Sequence, residues 1–136
     1  MMIEKISKIQ AIEAAMLSML DCLTELPVEH YQIEGVYVRS LFIPKDMVLT
    51  GAIHNKEHIS ILAQGTICVH DGEKMIELTA PHVCIDKAGT KRLGYALTDC
   101  TFINVIRTDK TDIADIEEEA VSKTYEEFEL KSLSRG

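Results

Sequence analysis

No stretch of the 136-residue sequence stays apolar for the roughly 18 residues that a membrane-crossing helix requires, so no membrane is expected as a partner. Tryptophan is absent and aromatics make up only 5%. Tyr37, Tyr95 and Phe42 are therefore read as core or pocket-wall residues, not as a platform for stacking bases. Positive charge is also short: 14 Lys and Arg face 22 Asp and Glu, for a net charge of −8. A nucleic-acid polymer, which selects for a basic face, is not the expected partner. The first residues carry Glu4, Lys5 and Lys8 within a helical pattern and contain no signal-peptide apolar region. No C-x-x-C pair occurs. Cys22, Cys68, Cys84 and Cys100 lie 46, 16 and 16 residues apart, three of them inside apolar strand-like runs. Cysteine in such runs behaves as a small hydrophobe, so reduced thiols and a cytoplasmic location are expected. G-x-S-x-G, the P-loop, H-E-x-x-H and the dinucleotide-binding glycine string are all missing, which removes the common hydrolase, nucleotide-hydrolase, zincin and dehydrogenase templates.

What remains is enough for one globular domain: 46% apolar and 26% charged residues. The charge is uneven. Residues 112–136 hold eight acids and three bases, a net of −5, which leaves −3 for the other 111 residues. A small anionic ligand is compatible with that nearly balanced remainder.

The chain divides into three parts. Over 1–27, Ile9, Ile12, Met16, Met19, Leu23 and Leu26 recur at alternating spacings of three and four, which predicts a helix over 2–26 that stops before Pro27. Its wide apolar stripe suits either its own domain or a second subunit. Over 28–110 the pattern becomes a succession of strands: 36–43, 47–54, 58–64, 66–70, 73–78, 83–86, 90–96 and 101–108. Asp71-Gly72 is a hairpin signal. Strands without intervening helices predict an all-β sandwich or barrel. Over 111–136 the chain turns acidic and helical. Thr111 or Asp112 is placed to cap a helix through Ile113, Ile116 and Val121, with Glu117–Glu119 on its solvated side, and a further short helix is expected after Ser122.

The densest polar group is Gly51-Ala-Ile-His54-Asn-Lys-Glu57-His58, followed by Gly65; a second group runs from Pro81-His82 to Gly89-Thr-Lys91-Arg92. Imidazole and carboxylate at this spacing suit a divalent transition metal, with His54, His58 and Glu57 as candidate ligands. The order of these pieces resembles the cupin superfamily over about residues 34–108. Gly65 matches the glycine that ends the first cupin motif, G-x5-H-x-H-x3-4-E-x6-G, and Gly89 matches the glycine of the second. The resemblance implies a single jelly roll, a double-stranded β-helix, with an N-terminal helix and a short C-terminal helical segment. The wording of Val36–Pro44, Leu49–His54 and Ala88–Arg92 is more narrowly similar to small cupin-like proteins of bacteriophages and prophages, which implies a host-cytoplasmic setting. The motif departs from the family at two ligand slots. His58 stands seven residues before Gly65, where the family places its glutamate, and Arg92 stands three after Gly89, where it places a histidine. A guanidinium cannot ligate a cation.

Strand alternation places His54 with Val48, Thr50 and Ala52, and His58 with Ser60 and Leu62. An interior with both imidazoles, Arg92, Tyr37 and a rim Lys91 is rich in donors and fits a phosphate or carboxylate, since arginine grips either in a fork. Arg92 has a competing role as ion-pair partner of Asp86 or Glu57. Three functions follow. The first is a non-catalytic protein binding or sequestering a small nucleotide- or sugar-phosphate-like anion in the barrel pocket or at a subunit interface, tightening from pH 8 to pH 6 as His54 and His58 gain charge. The second is a metal-dependent isomerase or dioxygenase using His54 and His58. The third is a structural oligomer with a vestigial pocket. A homo-oligomer, dimer at least, is expected.

Overall fold

A computed structural model of the chain describes residues 26–70 and 73–134; the helix expected over 2–26 and the Asp71-Gly72 turn lie outside them, Leu26 excepted. The described residues form β1 (Val28–Ile33), β2 (Val36–Ile43), β3 (Val48–Thr50), β4 (Ile53–His54), β5 (His58–Gln64), β6 (Thr66–His70), β7 (Met75–Thr79), β8 (His82–Asp86), β9 (Leu93–Ala96), β10 (Cys100–Arg107), α1 (Ile113–Ala120), β11 (Val121–Ser122) and α2 (Tyr125–Ser134). The strands build a five-stranded sheet in the order β1-β2-β10-β5-β8, a four-stranded sheet β3-β9-β6-β7, and the pair β11-β4. Every pairing is antiparallel.

The two larger sheets face one another across a core of Ile43, Leu62, Ile67, Ala96 and Cys100, contributed by β2, β5, β6, β9 and β10. Alternation explains the membership. In β5 the burial pattern puts His58, Ser60 and Leu62 inside and leaves Ile59 outside. A second cluster of Tyr37, Ile106, Ile116 and Ala120 lets α1 cover one side of the barrel. Asp112 caps this helix, its side chain accepting from the backbone of Ala114 and Asp115 at 3.0 and 3.3 Å.

The strand pattern differs from expectation in four places. β1 is polar in sequence and lies on the sheet edge, where solvent faces one side and no apolar run is needed. The expected strand 47–54 is two strands interrupted at Gly51-Ala52, and the expected strand 90–96 begins only at Leu93. Helix α1 ends at Ala120, since Val121 adopts φ −134°, ψ 156° and pairs with His54. Glu119 is not part of a wholly solvated face: it accepts from Lys56 Nζ at 2.8 Å. The acidic segment is tied to the barrel in further ways. Ser122 Oγ donates to Asn55 Oδ1 at 2.6 Å, Phe128 of α2 packs on Ile53, and Lys131 Nζ donates to the Val121 carbonyl at 2.9 Å.

Candidate functional site

The candidate site begins with one rung of the five-stranded sheet. Register places His30 opposite Arg39, Arg39 opposite Asn104, Asn104 opposite Ser60, and Ser60 opposite Cys84. The residue two before Ser60 is His58, which pairs across the sheet with Asp86. His54 of β4 and Arg92, just before β9, approach from the facing side. A cavity of about 860 Å³ lies between them, within the usual range for small-molecule sites. Arg39, Asn104, Ser60, Asp86, His54 and Arg92 all line it.

A buried network holds these groups. The Ser60 hydroxyl makes a short hydrogen bond to Asp86 Oδ2 and lies 3.2 Å from His58 Nε2 and 3.0 Å from Asn104 Oδ1. His58 Nε2 is also 3.3 Å from Asp86 Oδ2. His58 Nδ1 is buried and has no hydrogen-bond partner. Arg92 Nη1 sits 2.5 Å from Asp86 Oδ1, a close ion pair. Burial works against the Asp86 carboxylate, but hydrogen bonds from His58 and Ser60 and the charge of Arg92 outweigh it and hold its pKa at about 2. The His54 ring lies against that of His58, tilted by 32° with centroids 4.0 Å apart. Burial first, then the neighbouring His58, Arg92 and Arg39, push its pKa down to about 3 against the pull of Asp86. His54 is therefore neutral between pH 8 and pH 6 and gains no charge there, contrary to the expectation from sequence.

The structure brings His54, Arg92 and Tyr37 to the cavity wall. Tyr37 is buried with its hydroxyl 2.6 Å from His30 Nδ1. Lys91 is not at the rim: it is buried, with Nζ donating to the Gly51 carbonyl at 2.6 Å. Glu57 is exposed, as its position next to the inward His58 requires, and so stands apart from the two imidazoles. Of the two carboxylates offered to Arg92 by sequence, Asp86 is the one it meets. Sequence reasoning missed Arg39, Asn104, Ser60 and His30. For Arg39 the signal was present, because Tyr37, Arg39, Leu41 and Ile43 share one face of β2. Among the described residues Arg39 has no ion-pair partner, whereas Arg92 is engaged by Asp86.

No family profile and no curated protein sequence matches the chain. Solved structures do. KdgF from Halomonas sp. superposes with a TM-score of 0.54 at 14% identity, over 68% of this chain and 86% of that one. An RmlC-like cupin family protein with a double-stranded β-helix fold from Methanocaldococcus jannaschii gives 0.52 at 12% identity, over 68% and 88%. A cupin superfamily protein from Desulfitobacterium hafniense DCB-2 gives 0.53 at 10% identity, over 63% and 80%. The chain thus has the cupin fold, a likeness of architecture and not of activity. The metal centre that the fold family implies does not fit the residues present. Glu57 is exposed, Arg92 brings a permanent cation to the site, and the Asp86 carboxylate is taken by His58, Ser60 and Arg92. Among the described residues no group of three His, Cys, Asp or Glu side chains is arranged to hold a metal ion. No helix among them is long and apolar enough to cross a membrane.

Proposed function

We propose that this chain is a phage-type, non-catalytic binding protein that holds or sequesters a small anionic ligand in its barrel cavity. The observation that carries the reading is Arg39, a permanent cation on the cavity wall with no counter-ion among the described residues. Asn104 beside it supplies a further polar contact, and the wall opposite holds His54 as a neutral ring. A phosphate or carboxylate would complete Arg39 as Asp86 completes Arg92. Thermal-shift titration with a panel of nucleotides, sugar phosphates and carboxylates tests this. A panel member should raise the melting temperature of the wild type. Arg39→Ala should weaken its binding about ten- to a hundredfold, and Arg39→Lys should recover only part, because an ammonium lacks the planar fork. The competing reading, a metal-dependent isomerase or dioxygenase using His54 and His58, calls for about one transition metal per chain in protein purified without chelators, lost on His54→Ala.

We also propose that the chain is a homo-oligomer, formed by a second copy on the outer face of the five-stranded sheet. Register sets Tyr31, Val38, Val105, Ile59 and Ile85 in one outward rung and Ile103, Ile61 and Val83 in the next. Val83 and Ile85 are 63% and 66% exposed, and Tyr31, Ile33 and Ile59 are exposed too. Those five alone present on the order of 400 Å² of apolar surface, about half of what one side of a standard interface buries. Glu29, Glu57, Lys87 and Arg107 border the patch, giving it the apolar centre and polar rim of an interface. Light scattering at micromolar concentration tests this, and a 15.2 kDa particle would reject it.

A further inference from the structure

The cavity is not uniformly polar. Its charged groups form a belt, and two rungs of apolar side chains extend from one side of that belt. On the five-stranded sheet, the rung next to Arg39 and Asn104 places Leu41 opposite Phe102, and Phe102 opposite Leu62. On the four-stranded sheet, the rung beyond Arg92 sets Leu49 opposite Gly94, and Gly94 opposite Val69. Leu41, Leu49, Val69 and Phe102 are only partly buried against the core, and all four line the cavity. Gly94 adds room at the middle of its rung. A Cβ there would lie 3.3 Å from both Ile67 Cδ1 and Leu49 Cδ2, a tight contact that any larger residue would turn into a bulge on the wall. Rungs two residues apart are separated by about 7 Å along the strands. An anion seated at Arg39 thus has a continuous hydrocarbon wall beginning one rung away.

This layout discriminates among anions. A wholly hydrophilic ligand, such as inorganic phosphate or a sugar phosphate, would leave Leu41, Phe102, Leu49 and Val69 facing water-filled space. A neutral hydrocarbon would leave Arg39 unmatched. We propose that the ligand is an amphipathic acid: a single carboxylate or phosphate held at Arg39 and Asn104, carrying a compact hydrocarbon portion that lies between Phe102 and Leu49. The inference rests on the anion-binding reading of the cavity and names the class of ligand within it. It involves binding only; no bond is made or broken.

Isothermal titration of the full chain with acetate, butyrate, hexanoate and octanoate, with octanol and inorganic phosphate as controls, separates the outcomes. Affinity should rise along the carboxylate series by up to about fourfold per methylene while the apolar rungs still have wall to offer. Octanol should bind at least tenfold more weakly than octanoate, and Arg39→Ala should erase that difference. Val69→Phe, which narrows the apolar rungs without touching the belt, should cost octanoate more than butyrate. If that variant fails to fold, the wild-type series still decides. Affinity independent of chain length, or tightest for inorganic phosphate, would overturn the amphipathic class and leave the anion site standing. Octanol binding as tightly as octanoate, or no binding by any member, would overturn the anion site itself.

Discussion

His54 is the residue whose chemistry the fold changes most. Its pKa falls from 6.5 to about 3, chiefly through burial and the adjacent His58, with Arg92 and Arg39 adding to the effect. The unfolded chain takes up a proton at His54 near pH 6.5, while the folded chain refuses it until about pH 3. Stability is therefore full above pH 6.5 and is lost progressively as pH falls through that window, by at most on the order of 5 kcal/mol. Melting temperature measured from pH 7 to pH 3 should fall less steeply for His54→Gln than for the wild type; parallel curves would show that the ring titrates freely. Asp86 adds a lower window. Its carboxylate is held at about pKa 2 against an ordinary 3.8, so its contribution is present above about pH 4 and disappears toward pH 2. Asp86→Asn should be costly at pH 7 for a different reason, since it leaves Arg92 and the buried His58 facing a neutral amide. Breaking a buried charge pair from one side commonly costs about 3 kcal/mol or more, discounted here because the Arg92 side chain is about one-third exposed. Urea unfolding of this variant at pH 7 measures it.

Among the elements, the junction between β5 and β6 is the least tolerant of change. Gly65 has φ +90°, and a Cβ there would stand 2.2 Å from the Asp99 carbonyl oxygen, 2.7 Å from Thr98 Oγ1 and 2.8 Å from Cys100 Sγ. Gly35, between β1 and β2, has nearly the same φ, +81°, with nothing within 4 Å. Gly35→Ala should cost about 1 kcal/mol from backbone strain alone. Gly65→Ala adds a backbone collision and should cost about 3 kcal/mol or more. Equal urea midpoints for the two would refute the steric argument. The importance of Gly65 was legible in the sequence, as were β2, β5, β6 and β10, because alternation and turn residues are local signals. β1 and β11 were not legible, since one is a polar edge strand and the other two residues long, and both exist only through their partners. At the site, Arg92 was legible from its spacing to Gly89, His58 from its spacing to Gly65, and His54 from the polar cluster it shares with His58. The roles of Asn104 and Ser60, and the choice of Asp86 over Glu57 as the partner of Arg92, depend on cross-strand register, which no local pattern records. Glu57 misled because sequence proximity to His58 says nothing of the face on which a side chain lands.

For the whole molecule, the outer sheet face sets the expected assembly. A face whose central rungs read Tyr31, Val38, Val105, Ile59 and Ile85, then Ile103, Ile61 and Val83, carries its charged side chains, Glu29, Glu57, Lys87 and Arg107, at its margins. Two copies packed through it about a two-fold axis would place like residues on like, so that each substitution counts twice. Ile85→Asp puts two carboxylates into an apolar contact and should convert the dimer to a monomer. It should leave the melting temperature of the dissociated chain unchanged, because Ile85 is exposed within one chain and touches none of the core clusters. Ile106→Asp, one residue along β10 from Val105 but buried inside, should instead unfold the chain. Salt gives an independent reading. A contact made by apolar rungs should hold in about half-molar salt, where one made by the marginal charges would be screened and weaken. Sedimentation of the wild type and Ile85→Asp, each at low and high salt, carries the decision. A dimer in all cases except Ile85→Asp assigns the interface to this face; a dimer that Ile85→Asp leaves intact assigns it elsewhere.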